Sequence, residues 1–168
     1  ASLGVVPQDI ALYPDLSARE NLVFWGKMYG LRGAALNQRV DKVLEIIGLS
    51  ERQKDRIGKF SGGMKRRVNI GAALLHKPDV VIMDEPTVGI DPQSRRHILD
   101  NVKALNKQGM TVLYTTHYME EAAELCSELI AGRETEPDIE DWLHNVNGQY
   151  FGAIGQRPYQ RLVSAERA

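Results

Sequence analysis

The unbroken apolar run Val80-Val81-Ile82-Met83, ending directly in Asp84-Glu85-Pro86, limits the folds open to this sequence more than any other feature. Consecutive β-compatible apolar residues predict a strand covered on both faces, which is the habit of parallel sheets. The paired carboxylates then fall at the C-terminal edge of that strand, where open α/β folds bind ligands. Further on, Ile98, Leu99, Val102 and Leu105 mark a helix ended near Gly109, and Thr111 to Thr116 is a second β-rich run. Strand, helix and strand at this spacing predict a βαβ unit.

The preceding stretch is mostly helical. Leu3 to Val6 is a short apolar run stopped by Pro7, which leaves Gln8 in a loop. Ser17 with Glu20 three residues on is a capping box for a helix reaching Tyr29. Leu36, Val40, Val43, Leu44 and Ile47 form one amphipathic stripe closed by Gly48. Ser61 starts another helix running to about His76, and Pro78-Asp79 turns the chain into the central run. Tyr118 to Leu129 reads as an acidic amphipathic helix. Ile139, Trp142, Leu143 and Val146 could make one short helix, and Gly148 to Ala168, without a period, is expected to be partly irregular.

A chain of 168 residues with 43% hydrophobic content fits one domain, and a complete domain of that size buries roughly 70% of its unfolded surface. A net charge of −1 gives no general attraction to nucleic acid or anionic lipid. One cysteine, Cys126, excludes an internal disulfide and suits a reducing compartment; it reads as a small buried hydrophobe. No apolar run approaches the ~18 residues of a membrane span. The opening Ala1-Ser2-Leu3-Gly4-Val5-Val6-Pro7 has no signal-peptide pattern. Beginning on a strand-like run without Met, the chain is expected to be a piece of something longer.

Ser61-Gly62-Gly63 at a helix start offers unpaired N–H groups, a positive dipole end and close backbone approach, which together suit a phosphate. By itself the tripeptide is an ordinary loop and cap. Asp84 and Glu85, on extended chain, point apart, so one can hold Mg²⁺ while the next orients an attacking water; without context they are equally a turn or a helix cap. His117 closes the second run on the same edge and could meet a terminal phosphate, or be a surface residue. Gln8 could offer an amide to metal or water, or be a plain loop residue. Asp91, before Pro92, is by default an N-cap. Lys65-Arg66-Arg67 is expected to be a solvated helix face. Together these features read as nucleotide hydrolysis, although no G-x-x-x-x-G-K-[ST] phosphate loop occurs.

The order of the pieces, a loop Gln, a helical segment, Ser-Gly-Gly, Asp-Glu-Pro, Gly-Ile-Asp-Pro and Thr-Thr-His, resembles the nucleotide-binding domain of ABC (ATP-binding cassette) transporters from about Gly4 to Cys126. The resemblance implies a partial RecA-like P-loop NTPase core, α/β with a parallel sheet, plus an α-helical subdomain. Residues 1–16 would be the end of a core strand and the Q-loop, 17–58 the helical subdomain, 59–130 the signature helix and the C-terminal part of the core, and 131–168 a divergent tail. It implies Gln8 on Mg²⁺ and the lytic water, and Ser61, Gly62 and Gly63 on the γ-phosphate of ATP held by the opposite subunit. Asp84 would be the Walker B metal ligand, Glu85 the catalytic base, Asp91 the D-loop residue at the dimer interface and His117 the switch histidine. Phe60 and Met64 depart mildly from the signature, the Walker A loop is absent, and Arg133-Glu134-Thr135-Glu136-Pro137 interrupts the strand usual after Cys126.

The wording of Asn21 to Leu31, Gly63 to Arg67 and His117 to Ala122 is most similar to bacterial exporters of the daunorubicin-resistance type. That resemblance implies an ATP- and Mg²⁺-dependent ATPase subunit of an exporter. It would pair head-to-tail with a second such subunit and drive a separate membrane permease from the cytoplasmic side, with no nucleic acid partner. The chain as written, lacking the phosphate loop, is expected not to hydrolyse ATP alone. The alternatives are a non-transport ABC ATPase of DNA repair or translation and a non-catalytic fragment lending its signature surface in trans. Against the first, no heptad array lies between Gln8 and Ser61.

Overall fold

A computed structural model describes residues 2–118, 120–125 and 150–154, the last group by its backbone. Four strands form one sheet in the order β1 (Leu3–Val6), β2 (Val80–Asp84), β3 (Thr111–Thr116) and β4 (Tyr150–Ile154). The first three are parallel, and β4 runs antiparallel to β3. Between β1 and β2 lie α1 (Ala18–Met28), α2 (Gly33–Ile46), two short 3₁₀ turns and α3 (Gly62–Leu74); α4 (Pro92–Lys107) crosses from β2 to β3. The expected α/β architecture and its βαβ unit are therefore present.

Local chemistry sets the helix starts. At α1 the Ser17 side chain accepts the Glu20 N–H while Glu20 accepts the Ser17 N–H at 2.8 Å, the reciprocal capping box. The stripe Leu36, Val40, Val43, Leu44 and Ile47 is buried, as its spacing demands. In the sheet, Val6, Met83 and Tyr114 stand in register and are buried, with Val81 beside Val112 one step away. They share the core with Ile98, Leu99, Val102 and Leu105 of α4 and with Val68, Ile70 and Leu74 of α3. A Cβ on Gly4 would stand 2.8 Å from the Ala73 carbonyl, so α3 lies close against β1.

Two expectations change. Val80 and Ile82 are only partly covered and Leu3 and Val5 are about half exposed, so among the described residues the sheet is buried on one face rather than two. The strand pattern alternates because α3 and α4 both pack on the same side. Second, residues 150–154, expected to fall in irregular chain, form β4. The interior Gly152 weakens the strand signal, and the backbone pairing with β3 supplies the order that the sequence pattern lacks. The helix expected from Tyr118 is present at 120–125; its remainder, Cys126 and the short helix around Trp142 fall outside the described residues. No helix among the described residues is long and apolar enough to cross a membrane.

Candidate functional site

Three parallel strands deliver their C-terminal ends to one place. Gln8 lies just beyond β1, Asp84 ends β2 with Glu85 next, and His117 follows β3 directly. Gln8 Nε2 donates to Glu85 Oε2 at 3.0 Å, and His117 Nδ1 lies 2.9 Å from Glu85 Oε1. One carboxylate is thus held by both flanking strands. His117 remains 44% exposed and Glu85 18%, so the cluster faces solvent from a shallow recess. With Nδ1 donating to Glu85, Nε2 is left for a ligand.

Asp84 and Glu85 separate differently from the alternation expected of extended chain. β2 ends at Asp84, and Glu85 has φ +43°, a left-handed conformation that costs a non-glycine residue on the order of 1–3 kcal/mol. The turn is pinned by Thr115, in register with Asp84. Its hydroxyl donates to Asp84 Oδ1 at 2.7 Å and accepts the Glu85 N–H at 3.0 Å. Thr115 belongs to the Thr-Thr-His run, but no role is legible for it in the sequence; its register neighbour gives it one.

A second cluster forms where α3 and α4 begin. Ser61 is the N-cap of α3, its hydroxyl accepting the Met64 N–H at 3.3 Å. Asp91 is the N-cap of α4, with Pro92 at the first helical position, and its Oδ1 accepts the Ser94 N–H at 2.9 Å. That hydrogen bond holds the Asp91 carboxyl below its ordinary range. Gly63 is buried against this turn, and a Cβ there would stand 2.1 Å from Ser94 Oγ. Ser61 and Gly62 are exposed, with the first N–H groups of α3 free of intrahelical partners. Among the described residues no hydrogen bond joins this cluster to the Glu85 cluster.

The expected solvated face Lys65-Arg66-Arg67 is corrected. Arg66 is 4% exposed and reaches back to the Gln8 loop, donating Nη1 to the Pro7 carbonyl at 2.7 Å and Nη2 to the Gln8 carbonyl. Burial draws its guanidinium below the ordinary value, with Asp9, Tyr114 and Asp84 opposing that shift. Arg67 Nη1 donates to the Ile47 carbonyl at α2's end. Both arginines therefore cap unpaired backbone oxygens, which a helical-wheel reading cannot show. Arg66→Ala should leave the two loop carbonyls without this donor and lower stability by about 1–3 kcal/mol. Arg66→Lys should recover little, because an ammonium lacks the two-pronged geometry; denaturant unfolding measures both.

The donor set also bears on a metal. Among the described residues no three His, Cys, Asp or Glu side chains gather to enclose an ion by themselves. Asp84 Oδ2 and Gln8 Oε1 are nevertheless hard oxygen donors on one edge, their partner atoms being engaged by Thr115 and Glu85. Such a set fits Mg²⁺, which keeps several waters and takes few protein oxygens alongside phosphate.

Comparison with known proteins shows the family and the fold. The ABC transporter family model matches residues 1–88, more than half of the chain. The linearmycin resistance ATP-binding protein LnrL of Bacillus subtilis (strain 168) is 66% identical over 127 residues, covering 76% of this chain and 41% of that protein. The Nod factor export ATP-binding protein I of Cupriavidus metallidurans is 47% identical over 135 residues, 79% of this chain and 45% of its own length. The chain thus spans less than half the length of these relatives. Among solved structures, the dimeric post-hydrolysis state of the ATP-binding cassette MJ0796 bound to ADP and Pi superposes with a TM-score of 0.62 at 29% identity. That match covers 72% of this chain and 54% of the other. On this evidence of family model, relatives and fold, the chain belongs to the ABC transporter family.

Proposed function

We propose that the chain is part of the ATP-binding and ATP-hydrolysing subunit of an ABC exporter. The observation that carries this is the Glu85 carboxylate, fixed between the Gln8 amide and the His117 imidazole, beside Asp84 on the same sheet edge. In this reading Glu85 accepts a proton from an attacking water, His117 Nε2 contacts the terminal phosphate, and Gln8 orients that water. Asp84 and Gln8 would hold Mg²⁺, which when bound neutralises charge on the phosphates. The amides at the start of α3, where Ser61 and Gly62 are exposed, suit a phosphate presented by another molecule, since among the described residues no hydrogen bond ties them to this chain's own Glu85. That separation supports a head-to-tail pair in which each partner's α3 start completes the other's site. Asp91, beside Gly63, would lie at the same contact. By kinship with resistance and export proteins, the subunit would work from the cytoplasmic side on a membrane permease.

The test is Mg²⁺-dependent ATP hydrolysis by the complete polypeptide encoded by the gene that carries these residues. Hydrolysis that stops with a chelator and is largely lost on altering Glu85 or His117 is expected. A polypeptide that binds no nucleotide, or whose turnover survives both changes, would contradict the reading. The 168-residue polypeptide alone, holding no phosphate loop, is expected to show no appreciable turnover.

A further inference from the structure

Glu121 is 2% exposed, yet it has no place in the chemistry above. Its Oε2 accepts three hydroxyls: Thr87 at 2.8 Å, Tyr114 at 2.8 Å and Thr116 at 2.9 Å. Its Oε1 faces Arg95 Nε of α4's first turn at 3.5 Å, and neither atom has a hydrogen-bond partner. We propose that Glu121 is a positioning residue that holds Glu85 and His117 in reacting register by tying together the two backbone segments that carry them. The proposal rests on the ATPase reading and extends it to a residue that touches neither nucleotide nor metal.

The connections run to both sides of the site. Thr87 lies two residues beyond Glu85, in a turn closed by the Val88 N–H on the Glu85 carbonyl at 3.3 Å. Thr116 immediately precedes His117; while donating to Glu121 it accepts the Tyr118 N–H at 3.0 Å, which sets how the chain leaves β3. The Tyr118 ring lies 4.3 Å from the His117 ring and 4.4 Å beneath the Arg95 guanidinium. One carboxylate thereby ties the turn after Glu85 to the turn around His117, with Arg95 of α4's first turn beside it. Burial, with the Glu121 charge adding to it, raises the Tyr114 phenol and keeps it protonated as a donor. A shift of even ~1 Å at such a contact can cost up to about 100-fold in rate.

The experiment uses the complete encoded polypeptide and a double-mutant cycle between Glu121→Ala and His117→Ala. Glu121→Ala is expected to lower kcat about 10- to 100-fold with the KM for ATP little changed. In the His117→Ala background the same change should cost several-fold less than in the wild type, because only one of the two groups it positions, Glu85, remains. Thr116→Val, nearly isosteric, gives a second variant should Glu121→Ala fold poorly, and should follow the same pattern. Independently of activity, the His117 imidazole ¹⁵N resonances, assigned by their absence in His117→Ala, should shift or broaden in Glu121→Ala and Thr116→Val. Equal losses in both backgrounds, or unchanged His117 resonances, overturn the proposal. A wild-type polypeptide without ATPase activity would defeat the functional reading instead, and the resonances would still decide this one.

Discussion

Glu85→Gln is expected to lower ATP turnover by on the order of 10²- to 10⁴-fold while leaving nucleotide affinity within a few-fold of wild type. The amide keeps the size of the side chain, and its one oxygen can still accept from either Gln8 Nε2 or His117 Nδ1, so one of the two contacts that hold it persists. What disappears is the ability to take a proton from water. A loss confined to kcat is the signature of an interaction made in the transition state alone. Steady-state kinetics, with nucleotide binding measured separately, checks it. A matching rise in KM would show that Glu85 binds substrate rather than activating water. Glu85→Gly adds a second check, because Glu85 is held at φ +43°. Glycine takes that conformation freely, so this variant should unfold at a higher temperature than Glu85→Gln and be equally inactive.

The legible parts of this chain are those in which one local signal suffices. Ser17 and Glu20, the stripe from Leu36 to Ile47, and Asp91-Pro92 each encode their element in a few neighbouring residues, and each takes the expected form. The convergence of Gln8, Asp84, Glu85 and His117 could be anticipated because a parallel sheet brings all its C-terminal ends to one edge. Less legible are features that depend on partners distant in sequence. Arg66 looks like any basic helix residue until the Pro7 and Gln8 carbonyls are seen beside it. Glu121 sits in an acidic pair, Glu120-Glu121, of which one is exposed and the other buried under three hydroxyls. Strand β4 carries an interior glycine and gains its order from the edge of β3. The left-handed Glu85 is equally hidden, since no residue type in Met83-Asp84-Glu85-Pro86 announces a positive φ.

Gly63→Ala is expected to destabilise the protein by about 1–3 kcal/mol and to remove most ATPase activity with it. An added Cβ would lie 2.1 Å from Ser94 Oγ and 2.2 Å from Ser94 Cβ. The hydroxyl could rotate away, but Cβ is fixed to the backbone of α4, so the first turns of α3 and α4 must part. That movement displaces the N–H groups proposed to meet phosphate. Ser94→Gly removes both colliding atoms and should restore much of the stability in the double variant, less up to about 1 kcal/mol for glycine in a helix. Ser94→Ala keeps its Cβ and should not. Gly62→Ala separates packing from ligand approach, because a Cβ there meets only Ile90 Cδ1, at 3.7 Å. Thermal stability should hold or rise slightly, as glycine to alanine favours helix. Turnover should still fall roughly tenfold or more, since a methyl group then stands where the phosphate would approach the amides. A Gly62→Ala variant with full activity would mean that the start of α3 does not face nucleotide, whatever Gly63→Ala does to the fold.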